Sequence, residues 1–250
     1  MRQLRAGVKP LRSCYNRGEV PRSRQPLIEV DGVSYLRLPV KTHILTEEDD
    51  PLEVVRRYAV PESQAGDVLF IAETALAIMQ GRQRHIDTIH VSFLARLLSR
   101  FVTKSPYGVG LRSPRAMQVA IEEVGAWNVL KGTAAAAWGK LVLRRRGDFY
   151  EVAGLATKMI DAEHTMGIKK YWDYVIPGPV QIPETCRAIK EATGLDACVV
   201  DVNDIQEPWV IGASFGEEIS RIVASALRDN PLGQGDECTP MGLLRRVESA

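Results

Sequence analysis

Several features are scarce in this chain, and each scarcity removes a class of protein. Every apolar stretch is short and broken by charge, so no segment is long enough to span a bilayer. The first residues carry no apolar core of the kind that opens a secretory signal, and a cytoplasmic protein is expected. Cysteine is sparse: Cys14, Cys186, Cys198 and Cys238 stand far apart with no C-x-x-C pair, which argues against a disulfide scaffold and a zinc ribbon. Net charge is almost absent, since 32 Lys and Arg against 31 Asp and Glu leave +1. That balance gives nucleic acid or an anionic membrane little electrostatic hold as a principal partner. No G-x-G-x-x-G opens a helix and no G-x-S-x-G elbow occurs. Gly233-Gln234-Gly235 lacks the lysine and the strand–glycine–helix setting of a phosphate loop.

What is present is an ordinary globular composition over 250 residues, enough for one large core or two modest ones. One local bias stands out. Arg2, Arg5, Lys9, Arg12, Arg17, Arg22 and Arg24 make residues 1–26 a basic arm, with Glu19 the one acid before Glu29. The arm reads as a solvated tail or a strand packed on a neighbouring subunit; the alternative is a segment for a polyanion or for targeting.

Periodicity marks the elements. Val33 to Val40 alternates as a strand after an Asp31-Gly32 turn, and Pro51 to Tyr58 is a short helix opened by its proline. Asp67 to Ala72 is a buried strand. Phe93, Leu94, Leu97, Leu98 and Phe101 predict a helix over Val91 to Val102. Ser113-Pro114 starts another, with Met117, Ala120, Ile121 and Val124 inward and Gly125 as its stop. Phe149 to Val152 reads as a strand, Pro183 and Gly194 bracket a helix, and Ala197 to Val200 is an apolar strand. Ser214 and Glu217 have the spacing of a capping box before a helix whose inner face is Ile219, Ile222, Val223, Ala226 and Leu227. Met241 to Val247 is a last strand. Strands and helices mix without a strict βαβ rhythm, so the fold class is α+β.

The strongest chemical signal is the run from Cys198 to Asp204. An apolar strand fixes the backbone, and Asp201, Asn203 and Asp204 follow where it ends. Hard cations such as Mg²⁺ or Mn²⁺ want oxygen ligands held in this way. The same residues also make ordinary Asx-turns at strand ends. A second acidic point follows Ile160, where Asp161 or His164 could complete a site. His43, His85 and His90 show no metal spacing, and Cys198 reads as an inert buried thiol.

Read in order, several segments resemble the coenzyme factor-420 γ-glutamyl ligase (CofE-like) family. They are Leu38-Pro39-Val40, Asp49-Asp50, Ala65-Gly66-Asp67-Val68, Gln80-Gly81-Arg82, Ala153-Gly154 through Asp161, Asn203 to Trp209, and Gly233-Gln234 to Glu237 with Pro240. The resemblance spans roughly Leu36 to Val247, and its specificity lies in the shared order of short motifs. It implies that residues 27–250 form a two-domain mixed α/β unit in an intertwined homodimer, with a smaller subdomain within about 90–180. It implies an amide ligase that joins an amino acid such as L-glutamate to a small carboxylate through an acyl phosphate. GTP or ATP would be consumed with Mg²⁺ or Mn²⁺. By the same correspondence Asp161 and Asp204 are catalytic metal ligands, with Asp201 and Asn203 beside them. Gly81, Arg82, Gly233, Gln234 and Glu237 would bind the nucleotide. Departures accompany the match: Glu207 replaces an arginine, Thr74 and Ile78 replace two lysines, and Glu163-His164 replace Ser-Asn. Lost cations weaken the hold on a triphosphate, so a catalytically inactive ligand-binding or regulatory homologue is the alternative.

Overall fold

The computed structural model describes residues 25–102, 110–138, 152–202, 208–233 and 235–247; the basic arm before residue 25 and residues 203–207 lie outside the described residues. The described strands are β1 (Leu27–Val30), β2 (Val33–Val40), β3 (Val68–Ala72), β4 (Arg84–His85), β5 (Tyr174–Val175), β6 (Asp196–Asp201), β7 (Trp209–Ala213) and β8 (Met241–Val247). The described α-helices are α1 (Pro51–Val54), α2 (Glu73–Met79), α3 (Phe93–Ser99), α4 (Pro114–Val124), α5 (Ala126–Trp138), α6 (Ile182–Thr193) and α7 (Glu217–Ala226). None of them is long and apolar enough to cross a membrane.

The fold is mixed α+β. Six strands form one sheet in the order β1-β2-β8-β3-β6-β7, and β4 pairs with β5 in a separate two-stranded ribbon. The central pair β3–β6 is parallel, with Val68 opposite Asp196 and Ala72 opposite Val200, while its neighbours run antiparallel. Local chemistry explains most element ends. Asp31 and Gly32 both take positive φ (50° and 79°), the two-residue turn that matches the twist of the β1–β2 hairpin. Asp50 caps α1 by accepting from the amides of Leu52 and Glu53. Ser113 caps α4 in the same way, and Gly125 ends it at φ 84°.

Side-chain alternation builds two cores on opposite faces of the sheet. Leu69, Ile71, Val199 and Leu243 face the layer that contains α1, α2 and α6, whereas Phe70, Cys198, Val200 and Leu244 face α7. A third cluster, drawn from Ile89 to Val175, packs α3, α4 and α5 together with Ile160 and Ala162. Two arginines pin the sheet. Arg37, 1% exposed, bonds Asp229 and the Ala226 carbonyl at the end of α7. Arg245 grips buried Asp67 with two bonds of 2.9 and 2.7 Å.

Three expectations are corrected. The helix predicted over Val91 to Val102 is only Phe93–Ser99, because Ser92 caps it by accepting from Ala95 N. Its stripe is also split: Leu98 is buried, while Phe93, Leu97 and Phe101 are 81%, 38% and 68% exposed. The capping box is absent, since α7 starts from Gly216. Ser214 Oγ instead donates to Asp196 (2.9 Å) and accepts from Ala197 N (2.9 Å), closing the β6–β7 edge. Of the strand expected over Phe149 to Val152, only Val152 is described, and it is helical.

Candidate functional site

A cavity of about 400 Å³ opens where β3 and β6 end and β8 begins. The carboxyl ends of parallel strands are where α/β sheets place ligands, because the chain must leave the sheet there and the diverging segments frame a crevice. Here Ala72 leads directly into α2, Asp201 is the last residue of β6, and Thr239-Pro240 precede β8. The opposite wall comes from Thr157 to Ala162, held by the paired backbone bonds between Asp161 and Ile176 (2.9 and 3.0 Å).

Three carboxyls from separate segments face one another in this cavity. Glu73 is the first residue of α2 and only 8% exposed, and its Oε2 has no hydrogen-bond partner among the described residues. Burial, then the charges of Asp201 and Asp161, push its carboxyl well above the ordinary value, with Lys158 pulling the other way. Burial also lifts Asp161 to about 6; the Thr74 hydroxyl, which donates to Oδ2 at 2.6 Å, restrains the rise, and Asp201 adds to it. The third carboxyl, Asp201, is the charge that both of the others feel. Glu73 and Asp161 therefore hold their protons more readily than isolated acids, and the three carboxyls together attract cations.

The cavity holds one ammonium among its described lining residues, Lys158, whose Nζ lies 4.8 Å from the Trp209 ring centroid. At the rim His43 is fixed from both sides. Nε2–H donates to Asp49 (2.9 Å), and the Tyr58 hydroxyl bonds Nδ1 (2.8 Å). Burial raises the Asp49 carboxyl, but bonds from the Thr46 amide, His43 and the Thr46 hydroxyl together bring it below its usual range.

Of the residues singled out from sequence, Asp161 and Asp201 come together, and Gly233 and Glu237 line the same cavity. Glu237 accepts from Gly235 N at 2.7 Å, so its carboxylate holds the Gly235 backbone beside the cavity. Gly81 and Arg82 do not line the cavity. Gly81 closes α2 at φ 67°, and Arg82 is bonded to Glu123 at 2.6 Å. His164 is exposed at φ 62° and also stands away from the lining. Asn203, Asp204 and Gln234 lie outside the described residues. Sequence reasoning missed Glu73, Lys158 and His43. A glutamate in the first turn of an otherwise apolar helix was the available signal for the first, though it reads equally as a partner of the helix dipole.

Among the described residues, no three His, Cys, Asp or Glu side chains are spaced to hold a metal ion unaided. The donor set still fits a hard cation shared with a ligand. Mg²⁺ is commonly held by one or two carboxylates, the remaining positions going to substrate phosphates and water. Asp161 and Asp201 offer those carboxylates, and the unpartnered Glu73 oxygen offers a further acceptor. Compared with known proteins, the chain matches no family model and no curated protein.

Proposed function

We propose that this cavity carries out metal- and nucleotide-dependent amide ligation, joining an amino acid such as L-glutamate to a small carboxylate. The observation that carries the proposal is the meeting of Glu73, Asp161 and Asp201 beside Lys158 at the ends of the two parallel strands. In this reaction the substrate carboxylate attacks the γ-phosphorus of GTP or ATP, forming an acyl phosphate and releasing the nucleoside diphosphate. The amine then attacks the acyl carbon, loses a proton as the C–N bond forms, and expels inorganic phosphate. Asp161 and Asp201 would hold Mg²⁺ or Mn²⁺, which supplies charge neutralisation on the transferring phosphoryl group. Lys158 gives a fixed positive charge in a cavity otherwise lined by carboxyls, and supports the reading despite Thr74 and Ile78. Thr74 serves another purpose: its hydroxyl orients Asp161.

The CofE-like two-domain fold and the homodimer belong to the same proposal. The separate Ile89–Val175 cluster supports a smaller subdomain. Phe93 and Phe101 on and after α3, with Trp127 on α5 (68% exposed), are apolar surface that a second copy would cover. The test is calorimetric titration with GTP and ATP, with and without Mn²⁺, on wild type, Asp161→Asn and Asp204→Asn. Metal-dependent binding that is lost in the variants, together with nucleoside diphosphate release in a carboxylate–amine screen, is the expected result. Nucleotide binding without such release would favour the inactive homologue, and no binding of either nucleotide would refute the ligase reading.

A further inference from the structure

We infer that a second pocket, built from four arginines, binds a small anion carrying two or three phosphates. It has a volume of about 480 Å³ and shares no lining residue with the acidic cavity. That volume falls within the roughly 300–1,000 Å³ of small-molecule sites. Helix α3 contributes Arg96, and Arg100, the residue that caps its C-terminus, follows one turn on; the short turn Gly110–Arg112 contributes Arg112; and the first turn of α4 contributes Arg115.

Their gathering round one space sets these arginines apart. Among the other described arginines Arg37, Arg56, Arg82, Arg84, Arg187, Arg221 and Arg245 each reach a carboxylate, while Arg57, Arg228 and Arg246 reach none but do not line this pocket. In the pocket only Arg115 reaches one, at a loose 3.5 Å from Glu163, whose two oxygens are already bonded by the Ser113 hydroxyl. The guanidinium groups of Arg96, Arg100 and Arg112, all three exposed, have no hydrogen bond or ion pair among the described residues. Like charges gathered around one space repel and lower stability, and a chain of net charge +1 has no general excess of cations to explain the gathering. The positive end of α4, eleven residues long, points its dipole to the same place. Its first free amides are occupied by the Ser113 cap, so the helix adds field while the guanidinium groups supply the donors. Forked guanidinium donors match phosphate oxygens in pairs, and this geometry selects phosphate over a simple halide.

The probe is inorganic tripolyphosphate, titrated calorimetrically into the full-length chain at low ionic strength with EDTA, so that cation-dependent binding in the acidic cavity is silent. Wild type should show saturable binding with one anion per chain, weakened by added salt. Arg100→Gln/Arg112→Gln should lose at least about tenfold in affinity, equivalent to about 1.4 kcal/mol. The unliganded double variant should melt no lower than wild type, since two repelling charges are gone. Asp161→Asn should bind the probe as wild type does. No saturable binding to wild type, equal affinity in the double variant, or loss of binding in Asp161→Asn instead would overturn the assignment. Tighter binding of a single-stranded oligonucleotide than of tripolyphosphate would also overturn it, by making the ligand a polymer. None of these outcomes depends on the ligase proposal, which is tested by metal-dependent nucleotide binding.

Discussion

Replacing Asp161 by Asn should make the metal-free protein more stable at neutral pH, not less. In the folded chain burial lifts this carboxyl from 3.8 to about 6. Between those two values the folded state keeps a proton that the unfolded state has released. The contribution of Asp161 to stability therefore falls as pH rises through that window, and above it the full penalty of a buried charge is present. A shift of about two units at about 1.4 kcal/mol each gives a penalty of about 3 kcal/mol at pH 7.5, shrinking below about 1 kcal/mol at pH 4. Asn keeps an oxygen that can accept the Thr74 hydroxyl, so the 2.6 Å bond has a successor while the repulsion with Asp201 ends. The measurement is urea unfolding of wild type and Asp161→Asn in EDTA at pH 4.5, 6 and 7.5, with the m-values compared. The gap should widen with pH in favour of Asn, and the melting temperature at pH 7.5 should rise by roughly 6–12 °C for a chain of this size. A variant less stable than wild type at pH 7.5, or a gap that does not change with pH, would refute the argument that this carboxylate is held at the expense of the fold.

Two other perturbations test the packing. A Cβ on Gly242 would stand 2.5 Å from Phe70 Cζ and 2.9 Å from the Leu38 carbonyl, so Gly242→Ala should cost about 2–3 kcal/mol in the same assay. Phe70→Leu in that background should restore part of the loss, and an Ala variant within about 0.5 kcal/mol of wild type would show that the strands can separate without cost. Burial pushes the Cys186 thiol up to about 12 and the Cys198 thiol well above its ordinary value, whereas Cys238 is partly exposed. In a Cys14→Ser chain a disulfide reagent should modify one thiol quickly and two more only as the protein unfolds. Two fast thiols would contradict the buried placement.

The parts of the fold that could be read from sequence are those whose cause is local. Asp31-Gly32 dictates its turn, Ser113-Pro114 and Gly125 delimit α4, and the apolar run Ala197 to Val200 has no choice but to be buried. Where a distant partner competes, local reading fails. Ser214 has the spacing of a cap but is recruited by Asp196 and Ala197, which come beside it only when β6 and β7 pair. The same limit governs the site. Asp161 and Asp201 each stood out after an apolar stretch, but Glu73 joins them through the parallel pairing of β3 with β6, more than a hundred residues apart in the chain. Lys158 was hidden for a similar reason, since its neighbour Trp209 lies on β7, far along the chain.

The short turn Gly110–Arg112 is a partition between two compartments of opposite sign. Gly110 and Leu111 border the acidic cavity, and Arg112 borders the arginine pocket. Arg115 leans across the same boundary toward Glu163, two residues beyond Asp161. An anion that draws Arg115 toward itself leaves Glu163 with the Ser113 hydroxyl alone and alters the field at the far side of the wall. Thermodynamic reciprocity then requires that whatever factor such an anion imposes on cation affinity in the cavity, the cation returns to the anion. Two compartments divided by three residues cannot be filled independently if either occupant moves the wall.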